Sequence, residues 1–131
     1  MRIYLDSSPL IYLVENVSPY ATALITRLAG PGTIQVCSEL SRLECRLKPL
    51  RDGQTALLTA FDAYFAIVIT NVIPLSRQVI DRATELRARY GFRTPDAIHL
   101  AAAIVDGCNL FLTNDHRLDK CKDITIETVT P

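Results

Sequence analysis

The chain has 131 residues, of which 49% are apolar and 21% are charged, and its formal net charge is zero. That length fits one folded domain over residues 1–131, and the balanced charge excludes a global basic field that would attract nucleic acid. No segment approaches the roughly 18 uninterrupted apolar residues that a bilayer-spanning helix needs. The four cysteines form no CxxC pair, which excludes the common zinc templates. We therefore expect a soluble, cytoplasmic protein with reduced thiols.

Short apolar strands alternate with helices along the first half of the chain. Residues 2–5 are typical of a buried parallel strand, and Ser7, Ser8 and Pro9 then predict a helix with a serine N-cap and proline at its first position. The next predicted elements are a helix over 18–29, a strand over 33–36, a helix from Ser38 to about residue 47 that Pro49 breaks, and a helix over 53–66.

The same alternation continues to the C-terminus. The predicted elements are a strand within 67–75, a helix capped by Ser76 that runs to Tyr90–Gly91, a helix opened by Thr94-Pro95-Asp96 that ends at Gly107, a strand over 109–113, a short helix after Asp115 and a strand over 124–129. Strands that alternate with helices predict a parallel sheet flanked by helices.

Four acidic residues fall at one edge of this predicted sheet. Asp6 follows the first strand and Asp115 follows the strand "NLFLT", so both belong to the edge formed by the strands' carboxyl ends. Asp96 lies in the first turn of a helix that starts at this edge, and Glu44 lies in the second turn of another. Clustered carboxylates repel one another unless a cation binds, and oxygen ligands favour Mg²⁺ or Mn²⁺. Such a cluster can activate water for phosphodiester hydrolysis.

Each acid also has an ordinary structural interpretation when it is taken alone. Asp6 could be an N-cap or a phosphoacceptor, Asp96 complements a helix dipole, Glu44 could be a solvated helix residue and Asp115 a turn acid. What favours a functional interpretation is that all four fall on one predicted edge. His99, one helical turn after Asp96, is predicted to donate a hydrogen bond within or beneath the acid cluster.

Two other enzyme or signalling classes share part of this pattern. A receiver-type regulator also begins with an aspartate after its first strand and could use Asp52 as phosphoacceptor, but Asp52 does not follow a buried strand. A phosphatase of the haloacid dehalogenase type needs a second aspartate where Ser8 stands. His116, directly after Asp115, is expected to face solvent or substrate.

Four segments of the chain together resemble the motif blocks of PIN-domain proteins, in the order that family has them. They are "IYLDSSPLIYL" at 3–13, "CSELSRLEC" at 37–45, "TPDAIHLAAA" at 94–103 and "LFLTNDHRL" at 110–118. Within that family, the blocks resemble those of the small toxins of bacterial and archaeal VapBC toxin–antitoxin systems. The resemblance implies a three-layer α/β/α sandwich with a central, mostly parallel sheet of four to five strands.

The resemblance also implies an activity, a metal ligand set and partners. The family is one of metal-dependent ribonucleases, and its acidic positions correspond to Asp6, Glu44, Asp96 and Asp115. The first, third and fourth of these would hold Mg²⁺ or Mn²⁺. Ser8 and Thr113 match supporting positions of the family, His99 is a further supporting residue because of its place on the helix after Asp96, and Asp119 is a lower-ranked fifth acid. The implied partners are an RNA substrate, a cognate antitoxin and a second copy of the chain, and the alternative is an inactive PIN fold that only binds RNA or protein.

The segment "LLTAFDAYFAIV" at 57–68 carries more apolar residues than one buried helix face of a small domain needs. We therefore expect Phe61, Tyr64 or Phe65 to help form a homodimer interface or an antitoxin groove. The alternative is that this helix packs on the sheet.

Overall fold

A computed structural model describes residues 1–131 as five strands and six α-helices in alternation. The strands are β1 (Arg2–Leu5), β2 (Ile34–Ser38), β3 (Asn71–Ile73), β4 (Leu110–Thr113) and β5 (Thr125–Thr128). The helices are α1 (Ser7–Val14), α2 (Tyr20–Leu28), α3 (Glu39–Arg51), α4 (Thr55–Ala63), α5 (Arg77–Tyr90) and α6 (Thr94–Val105). A π-helical turn (Tyr64–Val68) extends α4, and a 3₁₀ helix (His116–Lys120) follows β4.

The five strands form one parallel sheet in the order β3-β2-β1-β4-β5. The chain builds outward from β1 to β2 and β3 on one side, and then crosses back to add β4 and β5 on the other. Strand order therefore reverses between β1 and β4, where Leu5 pairs with Leu112. In open parallel sheets, ligands bind beyond the carboxyl ends of the strands at such a point.

Two apolar cores lie on opposite faces of the sheet. Side chains alternate in direction along a strand, so Tyr4 of β1 faces one core while Ile3 and Leu5 face the other. The Tyr4 core is closed by α5 and α6, and the second core is closed by α1 to α4. This arrangement confirms the predicted three-layer α/β/α sandwich, with a sheet that is wholly parallel. None of the helices is long and apolar enough to cross a membrane.

The predicted start of α1 and the predicted start of α6 are each wrong by one or two residues. Asp6, rather than a serine, is the N-cap of α1, and its Oδ1 accepts the Ser7 N–H at 2.9 Å. Arg93 is the N-cap of α6, so Thr94 and Pro95 are its first two residues. A helix leaves its first N–H groups without an intrahelical acceptor, so proline is tolerated at more than one position there and does not mark the start uniquely.

Pro49 does not break α3 as predicted. It lies inside the helix, which continues to Arg51, and its ring is buried. The proline stands in the last turn, where few intrahelical hydrogen bonds remain to be lost. Beyond the helix, the Asp52 N–H donates to the Lys48 carbonyl and the Gln54 N–H donates to the Pro49 carbonyl, both at 2.9 Å.

The expectation of an aromatic partner surface at 57–68 is wrong for Phe61 and Phe65, and for Tyr64 it stays a prediction. Phe61 is fully buried and Phe65 is 6% exposed, and their rings stack at a centroid distance of 6.4 Å. Tyr64 is half-buried, and its hydroxyl donates to Gln35 Oε1 at 2.6 Å. Phenylalanines four residues apart fall on one helical face, and that face packs on the sheet. The exposed large apolar residues of this segment are Ile67 and Val68, at 80% and 40%.

The four cysteines are free thiols, as expected. Cys37, Cys45 and Cys121 are buried and Cys108 is half-buried. Burial raises the pKa of Cys37 and of Cys108 to about 12. These thiols therefore stay protonated at neutral pH and behave as small apolar side chains.

Replacing Ser76 by alanine tests the confirmed cap of α5, the helix that packs on α6. Ser76 Oγ accepts the Val79 N–H at 3.2 Å, and its loss should lower the free energy of unfolding by about 1 kcal/mol. Urea denaturation with an unchanged m-value is the measurement. Ser76→Asp is the matched control because it keeps an acceptor at the cap, and equal destabilisation by both variants would contradict the assignment.

Candidate active site

A hydrophilic cleft of about 390 Å³ opens at the point where strand order reverses. No hydrophobic residue lines it. All four acids singled out from the sequence line this cleft: Asp6, Glu44, Asp96 and Asp115. They come from the end of β1, from α3, from α6 and from the turn after β4, so the fold brings together four distant parts of the chain. Ser8 and His99 also line it.

Asp6 is held by bonds to both carboxylate oxygens. Oδ1 accepts the Ser7 N–H at 2.9 Å, and Oδ2 accepts the Thr113 hydroxyl at 2.8 Å. Thr113 is fully buried at the end of β4, and its Oγ1 accepts the Asp115 N–H at 3.1 Å. One hydroxyl therefore fixes the Asp6 carboxylate and the backbone of Asp115 relative to each other. Pairing of β1 with β4 makes this contact possible.

Glu44 is held through one of its two oxygens. Oε1 accepts the Ser7 hydroxyl at 2.6 Å and lies 2.6 Å from His99 Nε2. Burial disfavours the charged form of Glu44, but its contacts with His99 and Ser7, together with the nearby positive charge of Arg93, outweigh burial and lower the pKa of this carboxyl. An ionised carboxylate can only accept, so His99 Nε2 carries a hydrogen and donates it. Glu44 Oε2 has no hydrogen-bonding partner within the chain and stays available.

His99 lies beneath the cleft in a buried polar network. Its Nδ1 is 2.7 Å from the Tyr4 hydroxyl, and Tyr4 donates to Ser38 Oγ at 2.9 Å. Burial raises the pKa of Tyr4 well above its ordinary value, so the phenol keeps its proton. Ser41 Oγ accepts the Ser38 N–H at 3.1 Å and completes the chain of contacts. His99 is thus fixed from below and supports Glu44 from its other nitrogen.

Asp96 and Asp115 are each paired with an arginine on the rim of the cleft. Arg93 Nε lies 3.2 Å from Asp96 Oδ2, and Arg117 Nη2 lies 2.6 Å from Asp115 Oδ2. The hydrogen bond from Arg117 lowers the pKa of Asp115. With these partners, no three of the His, Cys, Asp and Glu side chains are close enough to ligate one ion. The mutual repulsion of the acids is offset by guanidinium groups.

The family is decided by comparison with known domains. The model of the family described as "PIN domain" matches residues 3–124 of the chain. The chain belongs to the PIN domain family. The match covers all four motif blocks and confirms the resemblance drawn from them. No curated protein matches this PIN domain by sequence.

Solved structures share the fold of this PIN domain at low sequence identity. VapBC2 from Rickettsia felis, bound to a promoter DNA fragment, matches with TM-score 0.82 and 14% identity over 99% of this chain and 100% of that chain. DNA-bound VapBC from Salmonella typhimurium matches with TM-score 0.78 and 13% identity over 98% of both chains. VapC20 from Mycobacterium tuberculosis, described as a sarcin-ricin loop cleaving toxin, matches with TM-score 0.65 and 18% identity over 83% and 86%.

Several residues that the sequence suggested for the site make no contact with the acidic residues of the cleft. Ser8 lines the cleft, but it is the neighbouring Ser7 that bonds Glu44. Asp119 and His116 are exposed on the 3₁₀ helix and lie outside the cleft. Asp52 is the exposed C-cap residue of α3 rather than the end of a strand, which removes the basis for a receiver-type phosphoacceptor.

Sequence reasoning missed four residues that contact or support the acids of this PIN domain: Ser7, Tyr4, Arg93 and Arg117. The two arginines carried a usable signal, because Arg93 lies three residues before Asp96 and Arg117 two residues after Asp115. Tyr4 is a hydroxyl in an otherwise apolar buried strand, and a buried hydroxyl needs a partner. No sequence signal distinguishes Ser7 from Ser8.

Arg117→Gln should raise the pKa of Asp115 toward its usual value of about 3.9, because the bond that lowers it is removed. The contribution of this ion pair to stability is present above that unfolded-state pKa and lost as pH falls through the lowered folded-state pKa. A ¹³C carboxyl NMR titration in the presence of a chelator measures the change. Arg89→Gln, whose side chain pairs with Asp123 instead, is the control. An unchanged Asp115 titration in Arg117→Gln would show that the ion pair does not form.

Proposed function

We propose that this PIN domain is a metal-dependent endoribonuclease that hydrolyses RNA phosphodiester bonds and acts as the toxin of a type II toxin–antitoxin pair. The observation that carries the proposal is the convergence of four carboxylates in one hydrophilic cleft at the switch point of the sheet. The solved relatives support it, because chains of VapBC structures share the fold and VapC20 is described as a sarcin-ricin loop cleaving toxin.

Asp6, Asp96 and Asp115 are the residues that would hold Mg²⁺ or Mn²⁺. The donors around the cleft are carboxylate oxygens, which these hard cations prefer, and the lowered pKa of Asp115 keeps its carboxyl charged at neutral pH. Asp96 and Asp115 must exchange their arginine partners to take part. The bound ion would supply a more acidic water and charge stabilisation at the phosphate.

Glu44 is the residue best placed to accept a proton from the attacking water. Its Oε1 is occupied by Ser7 and His99, which orient the carboxylate and leave Oε2 free. In hydrolysis, the water oxygen bonds to phosphorus while its proton passes to Oε2. The bond from phosphorus to the leaving ribose oxygen breaks, and that oxygen takes a proton from solvent. Glu44 then returns its proton to solvent.

Asp6→Asn and Asp96→Asn should each reduce RNA cleavage on the order of 100-fold or more, because either change removes a negative ligand while nearly preserving shape. Cleavage of pooled RNA by purified protein is the measurement. A chelator should abolish wild-type cleavage, and added Mg²⁺ or Mn²⁺ should restore it. Asp52→Asn is the matched control because Asp52 lies outside the cleft, and it should cleave normally.

Two results would reject the nuclease proposal. Full cleavage by Asp96→Asn in the presence of chelator would show that neither this carboxylate nor a metal is needed. Wild-type protein that binds RNA without divalent-dependent cleavage would instead favour an inactive PIN fold that serves as a binding module.

An antitoxin and a second copy of the chain are the proposed protein partners. Leu43, Leu47 and Leu50 of α3 are 59%, 56% and 62% exposed. Their spacing of four and three residues puts them on one face of the helix. Exposed leucines in a row are typical of a protein-binding surface. Because solved relatives of this fold are toxin–antitoxin complexes, we assign this surface to the antitoxin.

Leu47→Glu should relieve inhibition by the cognate antitoxin while leaving RNA cleavage intact, since a carboxylate in an apolar contact is costly to desolvate. The cognate antitoxin is co-purified with each variant, and cleavage is measured in the complex. Ile80→Glu on α5, in the helical layer on the other face of the sheet, is the matched control. Undiminished inhibition of Leu47→Glu would place the antitoxin elsewhere. Light scattering measures dimerisation independently.

A further inference from the structure

A second, smaller cavity of about 100 Å³ adjoins the acidic cleft on the side of α6 and the 3₁₀ helix. The two cavities share Arg93 and Asp96 as a common wall. The charged residues that line the acidic cleft are mainly carboxylates, whereas those that line the smaller cavity are mainly cations. These cations are Arg93, Arg117 and Lys120, and Asp96 is the only carboxylate in this lining. We call this cavity the basic notch. Arg93 and Arg117 are paired with Asp96 and Asp115, so Lys120 supplies the positive charge of the notch that no carboxylate within 4.0 Å compensates.

The cationic side chains of the notch keep N–H groups that have no hydrogen-bonding partner. Arg93 uses only its Nε on Asp96, and Arg117 uses Nε and Nη2 on Asp115, so each guanidinium keeps N–H groups without a partner. Arg93 and Arg117 are 68% and 70% exposed. Lys120 has no carboxylate within 4.0 Å, and its Nζ lies 4.9 Å from the centre of the Phe92 ring. Contact with this ring directs the ammonium toward the notch.

The notch suits a phosphate better than a nucleobase. Phe92 is the one aromatic ring in its wall, and it is buried beneath Lys120, so no face is open for stacking. What remains is a small volume with guanidinium and ammonium donors, which is the chemistry that proteins use for phosphate oxygens.

We propose that the basic notch binds the RNA phosphate next to the one that is cut. The inference rests on the proposed function, which puts the scissile phosphate in the acidic cleft. A ribose–phosphate chain that leaves the cleft across the Arg93–Asp96 wall brings its next phosphate to the notch. Phosphate contacts position a strand without reading its sequence, so this subsite orients the substrate independently of base identity.

Lys120→Gln tests the proposal without disturbing the acids, because Lys120 pairs with none of them, whereas Arg93 and Arg117 do. Binding of a fluorescent single-stranded RNA oligonucleotide is measured by anisotropy over a range of KCl in Mg²⁺. Every protein in this assay also carries Asp6→Asn, so that the oligonucleotide is not cleaved during the measurement. Loss of one phosphate contact should reduce the slope of log K against log salt by about 0.7 and weaken binding several-fold at low salt. Lys120→Arg should restore both.

Lys122→Gln is the matched control. This lysine lies two residues along, its Nζ donates to the Asp119 carbonyl at 3.3 Å, and it lines neither cavity. It should keep the parent slope. Single-stranded DNA of the same sequence should respond to Lys120→Gln by the same factor, because the contact is to phosphate.

The outcomes separate this inference from the proposed function. RNA cleavage by the wild type, with equal slopes for Lys120→Gln and Lys122→Gln, would overturn the notch and leave the nuclease standing. A selective loss of slope in Lys120→Gln, without divalent-dependent cleavage by the wild type, would keep the notch and overturn the nuclease. A Lys120→Gln effect on RNA alone would also reject a phosphate contact. Thermal unfolding of each variant confirms that the fold is retained.

Discussion

The parallel pairing of β1 with β4 is the contact on which the cleft depends. These two strands are distant in sequence, and they meet at the centre of the sheet where the order of strands reverses. Their adjacent ends bring Thr113 to Asp6 and fix the turn that carries Asp115. Helices α3 and α6 then start from the same edge and supply the other two acids. A cleft with walls from both sides of the switch point follows from the topology.

Hydrogen bonds and ion pairs explain how a small neutral domain tolerates four carboxylates around one cleft. Each acid has its own donor: Thr113 for Asp6, His99 for Glu44, and arginines for Asp96 and Asp115. The buried partners and the arginine partners differ in how firmly they are held in place. Thr113 and His99 are buried and hold one geometry, while the arginines are mostly exposed and pay side-chain entropy to stay in place. The cleft therefore has a rigid half around Asp6 and Glu44 and an exchangeable half around Asp96 and Asp115.

The sequence predicted the architecture well because alternating apolar strands and capped helices carry their signal locally. Ser38 and Ser76 marked helix starts correctly, and the strand-end positions of Asp6 and Asp115 were enough to put them on one edge. What could not be predicted depends on tertiary contacts. The choice of Ser7 over Ser8, and the inward packing of Phe61, are decided by which neighbour the fold supplies. Local propensity does not contain that information.

The Tyr4 hydroxyl links the two helical layers that pack on opposite faces of the sheet. Tyr4 packs in the core closed by α5 and α6, whereas Glu44 belongs to α3, and His99 joins the two. A carboxylate in one helical layer is thereby coupled energetically to the core of the other. Substitutions along this path should be non-additive, because each leaves the remaining members with an unmatched buried group. A substitution at Tyr4, which does not line the cleft, therefore reaches the Glu44 carboxylate through His99.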